Sequence, residues 1–230
     1  MEAATHNLGD LLGILNETER KHAPDRLYTL GDTDLLRRSP RVSIIGSRHA
    51  SPDGLHKAAI IARLVVRLQG VVVSGLAQGI DTAAHNATIE AGGKTIAVIG
   101  TPVDRCYPKS NQALHRTIAH DHLLVSQFPI GYPVRPQNFA IRNRTMALLS
   151  DASVIVEASE KSGTEHQGWE AIRMRRLLLL PRKMVEESRF NWPREMCKYG
   201  AAVFDSLDVL QELVEEIKPA SSPEPSEPPF

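Results

Sequence analysis

Six short apolar runs, separated by stretches of helical spacing, limit this chain's fold more than any single motif does. The runs cover residues 42–45, 71–73, 95–100, 123–126, 153–158 and 177–180, and most are rich in Val, Ile and Leu. Between them, helical periodicity is expected over residues 53–68, 81–90, 109–119, 138–149 and 163–175. A strand that is apolar on both faces must be covered on both faces. The pattern therefore predicts an α/β fold: a doubly wound, mostly parallel sheet with helices on both faces. A last helix, strand and helix over 192–199, 201–204 and 207–217 close the unit.

The flanks read differently. Residues 1–40 form an N-terminal lead, with a weak helical pattern (Leu8, Leu11, Leu12, Ile14, Leu15), an edge strand at 27–32 and Leu35 and Leu36 available to pack on the domain. Residues 41–217 are the expected core. Residues 218–230, KPASSPEPSEPPF, are too rich in Pro, Ser and Glu to bury a core and are expected to be disordered.

Lys plus Arg and Asp plus Glu are 27 each, so formal net charge is zero and a polyanion site has to be a local patch. No stretch is apolar enough to span a membrane, and MEAATHNLGDLLG lacks the basic-then-apolar order of a secretion signal. A cytoplasmic protein with no membrane partner is expected. Cys106 and Cys197 are the only cysteines and form no CxxC pair, which argues against disulfides and zinc; no metal or cofactor is expected.

The stretch VVVSGLAQGIDTAAH, residues 71–85, runs from a strand through a glycine-punctuated bend into a helix. Such corners hold anions, because the first N–H groups of a helix lack intrahelical partners and glycine admits a ligand to the backbone. Asp81 and His85, four apart, are expected to form a hydrogen-bonded pair that fixes the loop. Three more corners offer donors: Gly46-Ser47-Arg48 after the first core strand, Phe139 with Arg142, Asn143 and Arg144 at a helix start, and Ser162-Gly163-Thr164 after the fifth. In a parallel sheet all would share the carboxyl edge with Ser74 and Gly75. Other motifs fail: Gly92-Gly93-Lys94-Thr95 lacks the leading glycine of a phosphate loop and precedes a strand, GxGxxG is absent, and no HExxH or Ser/His/Asp set stands out.

Taken together, Leu30-Gly31-Asp32, VSIIGSR, SGLAQGIDTAAH, EAGGKTIAVIG, Asp104 with Tyr107-Pro108, the NF and RNR of NFAIRNR, VIVEA and the following SG resemble the DNA-processing protein A family, called DprA or Smf. The resemblance covers about residues 27–204. It implies a Rossmann-like domain without catalytic activity that binds single-stranded DNA, forms a homodimer and, in transformable bacteria, hands DNA to a RecA-type recombinase. By motif position it makes Ser47, Arg48 and Arg142 to Arg144 DNA-facing, with Gly75 and Gly79 shaping the pocket. Ser74, Phe139, Ser162, Gly163 and Thr164 complete the expected edge.

The chain also departs from that pattern. Ala140 and Ile141 stand where the family has Pro and a basic residue, and SGTEHQGWEAIRMRR replaces the usual run after SG. Arg173 and Arg175 are candidate replacements for the lost basic position. The N-terminal helical domain and winged helix of many members have no counterpart here, which suggests a divergent, core-only branch. Such branches resemble the DprA-like partners encoded beside toxins in anti-phage modules, making restraint of a nearby toxin an alternative role. A second alternative is a sensor or hydrolase of nucleotide-derived ligands, on a likeness to the cytokinin-activating phosphoribohydrolases. Their Gly-Thr-x-x-Glu element has Gln167 at the Glu position here, which disfavours hydrolysis. For the dimer, Met184, Phe190, Trp192, Met196 and Tyr199 form an aromatic and apolar cluster, and residues 177–180 are expected to end the sheet at an edge that needs cover.

Overall fold

The computed structural model describes residues 2–158, 163–187 and 189–217. Ser162 and the tail at 218–230 lie outside the described residues. The strands are β1 (Ala4–His6), β2 (Leu27–Gly31), β3 (Arg41–Gly46), β4 (Val71–Ser74), β5 (Lys94–Val98), β6 (Leu123–Ser126), β7 (Ala152–Glu157), β8 (Leu177–Pro181) and β9 (Ala202–Phe204). Among the described residues they make one sheet in the order β1-β2-β6-β5-β4-β3-β7-β8-β9. Pairings from β6 across to β9 are parallel, and β2 pairs antiparallel with both β6 and β1. The expected mostly parallel, doubly wound α/β sheet is what the chain forms.

The helices are α1 (Leu8–Leu12), α2 (Glu17–His22), α3 (Pro52–Arg67), α4 (Ile80–Glu90), α5 (Gln112–Asp121), α6 (Pro136–Leu148), α7 (Gly163–Arg173), α8 (Arg182–Glu187), α9 (Trp192–Lys198) and α10 (Leu207–Glu215). Strand alternation sorts the core into two layers. Val42, Ile44, Val72 and Val154 pack with Ile61 and Leu64 of α3, Ala84 of α4 and Leu210 of α10. Ile45, Val73, Ile96 and Ile155 face the other way, onto Met146 and Ala147 of α6, Ala171 of α7 and Met196 of α9. From β3 the chain winds outward through β4, β5 and β6, then α6 returns it to β7 on the far side of β3. The carboxyl ends of β3 and β7 therefore flank a topological switch point, where sheets of this class open a crevice.

Several expectations at the flanks need correction. Residues 4–6 extend the sheet as β1, and the helical pattern behind them splits in two because Gly13, at φ 78°, ends α1. Asn16 then starts α2 with a capping box: its side chain accepts from Glu19 N–H, and the Glu19 carboxylate accepts from Asn16 N–H. The Glu19 carboxylate also takes Arg176 Nη2 at 2.5 Å, and the same nitrogen donates to Leu148 O at 3.1 Å. Residues 177–180 do not end the sheet, since β9 pairs along β8. The helix α8, between them, has no buried residue and left no apolar period to read. At the amino edge Arg41 Nη2 meets Asp151 Oδ1 at 2.6 Å, both side chains under a tenth exposed, and Asp151 Oδ2 accepts from Arg41 N–H at 2.8 Å.

Candidate nucleic-acid interface

The corner between β4 and α4 is already occupied by a carboxyl group of the chain's own. Asp81, in the first turn of α4, accepts from Gly75 N–H at 3.1 Å and Ala77 N–H at 3.3 Å. Its carboxylate thus sits where the expected ligand would, and burial pushes it up, opposed by the charge of Arg142 and by those hydrogen bonds. His85 is not its partner. His85 Nδ1 lies 2.7 Å from Thr95 Oγ1, whose own proton goes to Val72 O, so Nδ1 carries the ring proton. Burial, then the His122 and Arg142 charges, push His85 down to about 3. Asp81 fixes the loop without His85, helped by Thr82 Oγ1, which donates to Ala77 O at 2.6 Å, and by Asn111 Nδ2, which donates to Leu76 O at 3.0 Å.

Gly79, at φ 76°, lets this bend touch the β3–α3 turn: a Cβ there would strike the carbonyls of Ser47 and Arg48. Ser47 is fully buried, with its Oγ accepting from His49 N–H at 3.1 Å, and Ser74 Oγ donates to Ile44 O at 2.7 Å. Both hydroxyls hold the two turns in shape and neither lines the cavity. Arg48 points outward, its guanidinium carbon 5.8 Å from the centre of the Phe139 ring.

Between these turns, α6 and the start of α7, a cavity of about 450 Å³ opens beside the switch point. Arg48, His49, Asp81, Phe139, Arg142, Asn143, Gly163, Thr164, His166 and Gln167 line it. A smaller cavity of about 160 Å³ adjoins, sharing Arg48, His49, Phe139 and Arg142 and adding Gly75, Gln78 and Tyr107. Tyr107 is half exposed, with its ring centre 5.2 Å from that of Phe139. Arg142 is buried against Gly75, donates from Nη1 to Val98 O at 3.0 Å, and has no partner for Nε among the described residues. Asn143 Nδ2 reaches Gly163 O at 3.4 Å, joining α6 to α7. A larger cavity of about 820 Å³ lies across β7, but its Lys57, Arg182 and Lys183 are paired with Asp53, with Glu186 and Asp205, and with Glu187.

The expected edge therefore divides. Arg48, Phe139, Arg142, Asn143, Gly163 and Thr164 converge, with Gly75 and Gly79 shaping the wall. Arg144 does not join them: two residues along a helix from Arg142, it faces away and binds the buried Glu170 at 3.1 Å from Nε. Arg173 binds the same carboxylate, whose ionisation burial opposes and Arg144 and Arg173 restore, leaving it below the usual range. Arg175 stands in the turn before β8, at the amino edge. The part of α7 beyond Gln167 separates that edge from the cavity, and neither Arg173 nor Arg175 lines it. Residues not anticipated are His49, Gln78, Tyr107, His166 and Gln167. For Gln167 a signal existed, since Thr164 and Gln167 share a helical face.

The sequence pattern of the family described as DNA recombination-mediator protein A matches residues 13–217. The DNA processing protein DprA of Streptococcus pneumoniae is 43% identical over 144 residues, 62% of this chain and 50% of that protein. That of Bacillus subtilis is 31% identical over 193 residues, 84% of this chain and 65% of that protein. The chain thus spans between half and two thirds of the length of these relatives. Among solved structures, S. pneumoniae DprA superposes with a TM-score of 0.77 at 32% identity, covering 94% of this chain and 75% of that one. DNA processing protein A of Helicobacter pylori, described for its single-stranded DNA binding mode, gives 0.79 at 27% identity over 94% and 98%. A molybdenum cofactor binding protein of Rippkaea orientalis, at 17% identity and 0.58, covering 78% of this chain and 98% of that one, shares the fold alone.

Proposed function

The chain belongs to the DNA recombination-mediator protein A family, and from that premise we propose that it binds single-stranded DNA at the carboxyl-edge cavity and acts in DNA processing and recombination. The observation that carries this reading is Arg48 over the Phe139 ring at the cavity lip, with Arg142 behind it. A cation beside an aromatic face is what an unpaired strand requires: phosphate for the guanidinium, a base face for the ring. Duplex DNA keeps its base faces stacked and hidden. The role proposed is binding; the hydrolase alternative is disfavoured because the amide of Gln167 cannot ionise to serve as the carboxylate base of that element. The binding unit is residues 41–217, with the lead as an extension of its sheet. Titration of labelled single and double strands at two salt concentrations tests the reading. Preference for single strands, a steep loss with salt and tolerance of sequence are expected; equal, salt-insensitive or absent binding to both overturns it.

We further propose a homodimer. Supporting it is an aromatic surface over α7 and α9, where Tyr199, two-thirds exposed, meets Trp169 edge-on at 5.5 Å and Phe190 stacks on Trp192 at 6.4 Å.

A further inference from the structure

Gln167 is 2% exposed, and both Oε1 and Nε2 are buried without a hydrogen-bond partner among the described residues. A buried amide left unpaired at both ends is destabilising and uncommon in native structures. This one stands in the wall of the cavity that Phe139, Arg142 and Asn143 also line, one helical turn beyond Gly163. A carboxamide presents one donor and one acceptor side by side in a plane. Its complement is a planar group with an adjacent acceptor and donor, which is the Watson–Crick edge of a nucleobase.

Resting on the DNA reading above, we propose that Gln167 is the residue that receives that edge when a base lies against Phe139, completing its two missing hydrogen bonds. All four bases carry an adjacent donor and acceptor: N3–H and O4 in thymine, N1–H and O6 in guanine, N1 and N6–H in adenine, N3 and N4–H in cytosine. Turning the amide over exchanges Oε1 with Nε2, so one residue serves either order. Gln167 therefore senses that a base is present without selecting which, as a sequence-tolerant site requires. Asn143 is held by Gly163 O and Asp81 by the loop amides, so among the described residues Gln167 is the cavity's uncommitted amide.

The test compares oligothymidylate with the same oligonucleotide made of N3-methylthymine, which keeps phosphates and ring faces but loses the edge donor. The protein should bind the methylated strand about tenfold more weakly, since the methyl group removes the N3–H donor and holds O4 out of reach of the amide, so that about two hydrogen bonds are lost. Gln167→Leu should bind oligothymidylate about tenfold more weakly and no longer distinguish the two. Its thermal unfolding midpoint should be at or above that of the parent, since an unpaired amide has gone. A Gln167→Leu protein that still discriminates overturns the assignment. Should that variant not fold, Gln167→Met repeats the test, and equal affinity of the unaltered protein for both strands overturns the assignment by itself. No binding to either strand fails the DNA reading first and this one with it.

Discussion

Arg142 lies against the backbone of Gly75 so closely that a Cβ on Gly75 would occupy the place of its Nη1. The guanidinium keeps its bond to Val98 O only because residue 75 has no side chain. Gly75→Ala should lower stability by about 1–3 kcal/mol, the range for overpacking a core, and push Arg142 into the cavity. Urea unfolding measures the first effect and DNA titration the second; unchanged values for both would refute the arrangement.

Arg48 and Phe139 should separate cleanly in a salt series. Arg48→Ala should reduce the slope of log affinity against log salt by about 0.7, the share of one phosphate contact with a single strand. Phe139→Leu should leave the slope alone and weaken binding at every salt concentration by about 1–3 kcal/mol, the worth of one stacked base.

Arg144, although it sits in the RNR segment, is expected to matter for folding more than for binding. Its bond to Glu170 is about two-fifths exposed on the arginine side, so Arg144→Gln should reduce stability by about 1 kcal/mol after allowance for solvent. DNA affinity should change less than about twofold, well inside the effect of one charged hydrogen bond. A large loss of affinity with no loss of stability would return Arg144 to the interface.

Acid should unfold the protein partly through His85. Its pKa falls from 6.5 to about 3 on folding. Below about 6.5 the unfolded chain takes up a proton that the native ring refuses, so stability drops as pH falls towards about 3. The slope approaches about 1.4 kcal/mol per pH unit. His85→Gln, which cannot titrate, should show a flatter acid limb in urea midpoints measured from pH 7 to pH 4.

The proposed dimer predicts a light-scattering mass that approaches two chains at high concentration and falls on dilution. Trp192→Ala should shift that transition to higher concentration and weaken DNA binding through lost avidity. A single-chain mass at every dilution, with affinity unchanged in the variant, excludes it.

Most of the sheet was legible because β3 to β8 carry continuous apolar runs, and a strand buried on both faces admits little else. β1 was not, since Ala4-Thr5-His6 has neither length nor alternation and is a strand only through β2. At the site, the glycines and Arg48 were readable. The directions of Ser47 and Ser74 were not, because a hydroxyl at a strand end can turn to solvent or to a neighbouring carbonyl, and the tertiary fold decides. Arg142 and Arg144 could have been told apart: positions two apart on a helix face about 200° from each other, so one cavity cannot hold both.

The ion pair between Glu19 and Arg176 spans 157 residues. At about 5–20 residues per second of synthesis, the first helices leave the ribosome on the order of ten to thirty seconds before their partner exists. β2 likewise waits for β6. Residues 4–31 therefore spend that interval without the partners that hold them in the finished sheet.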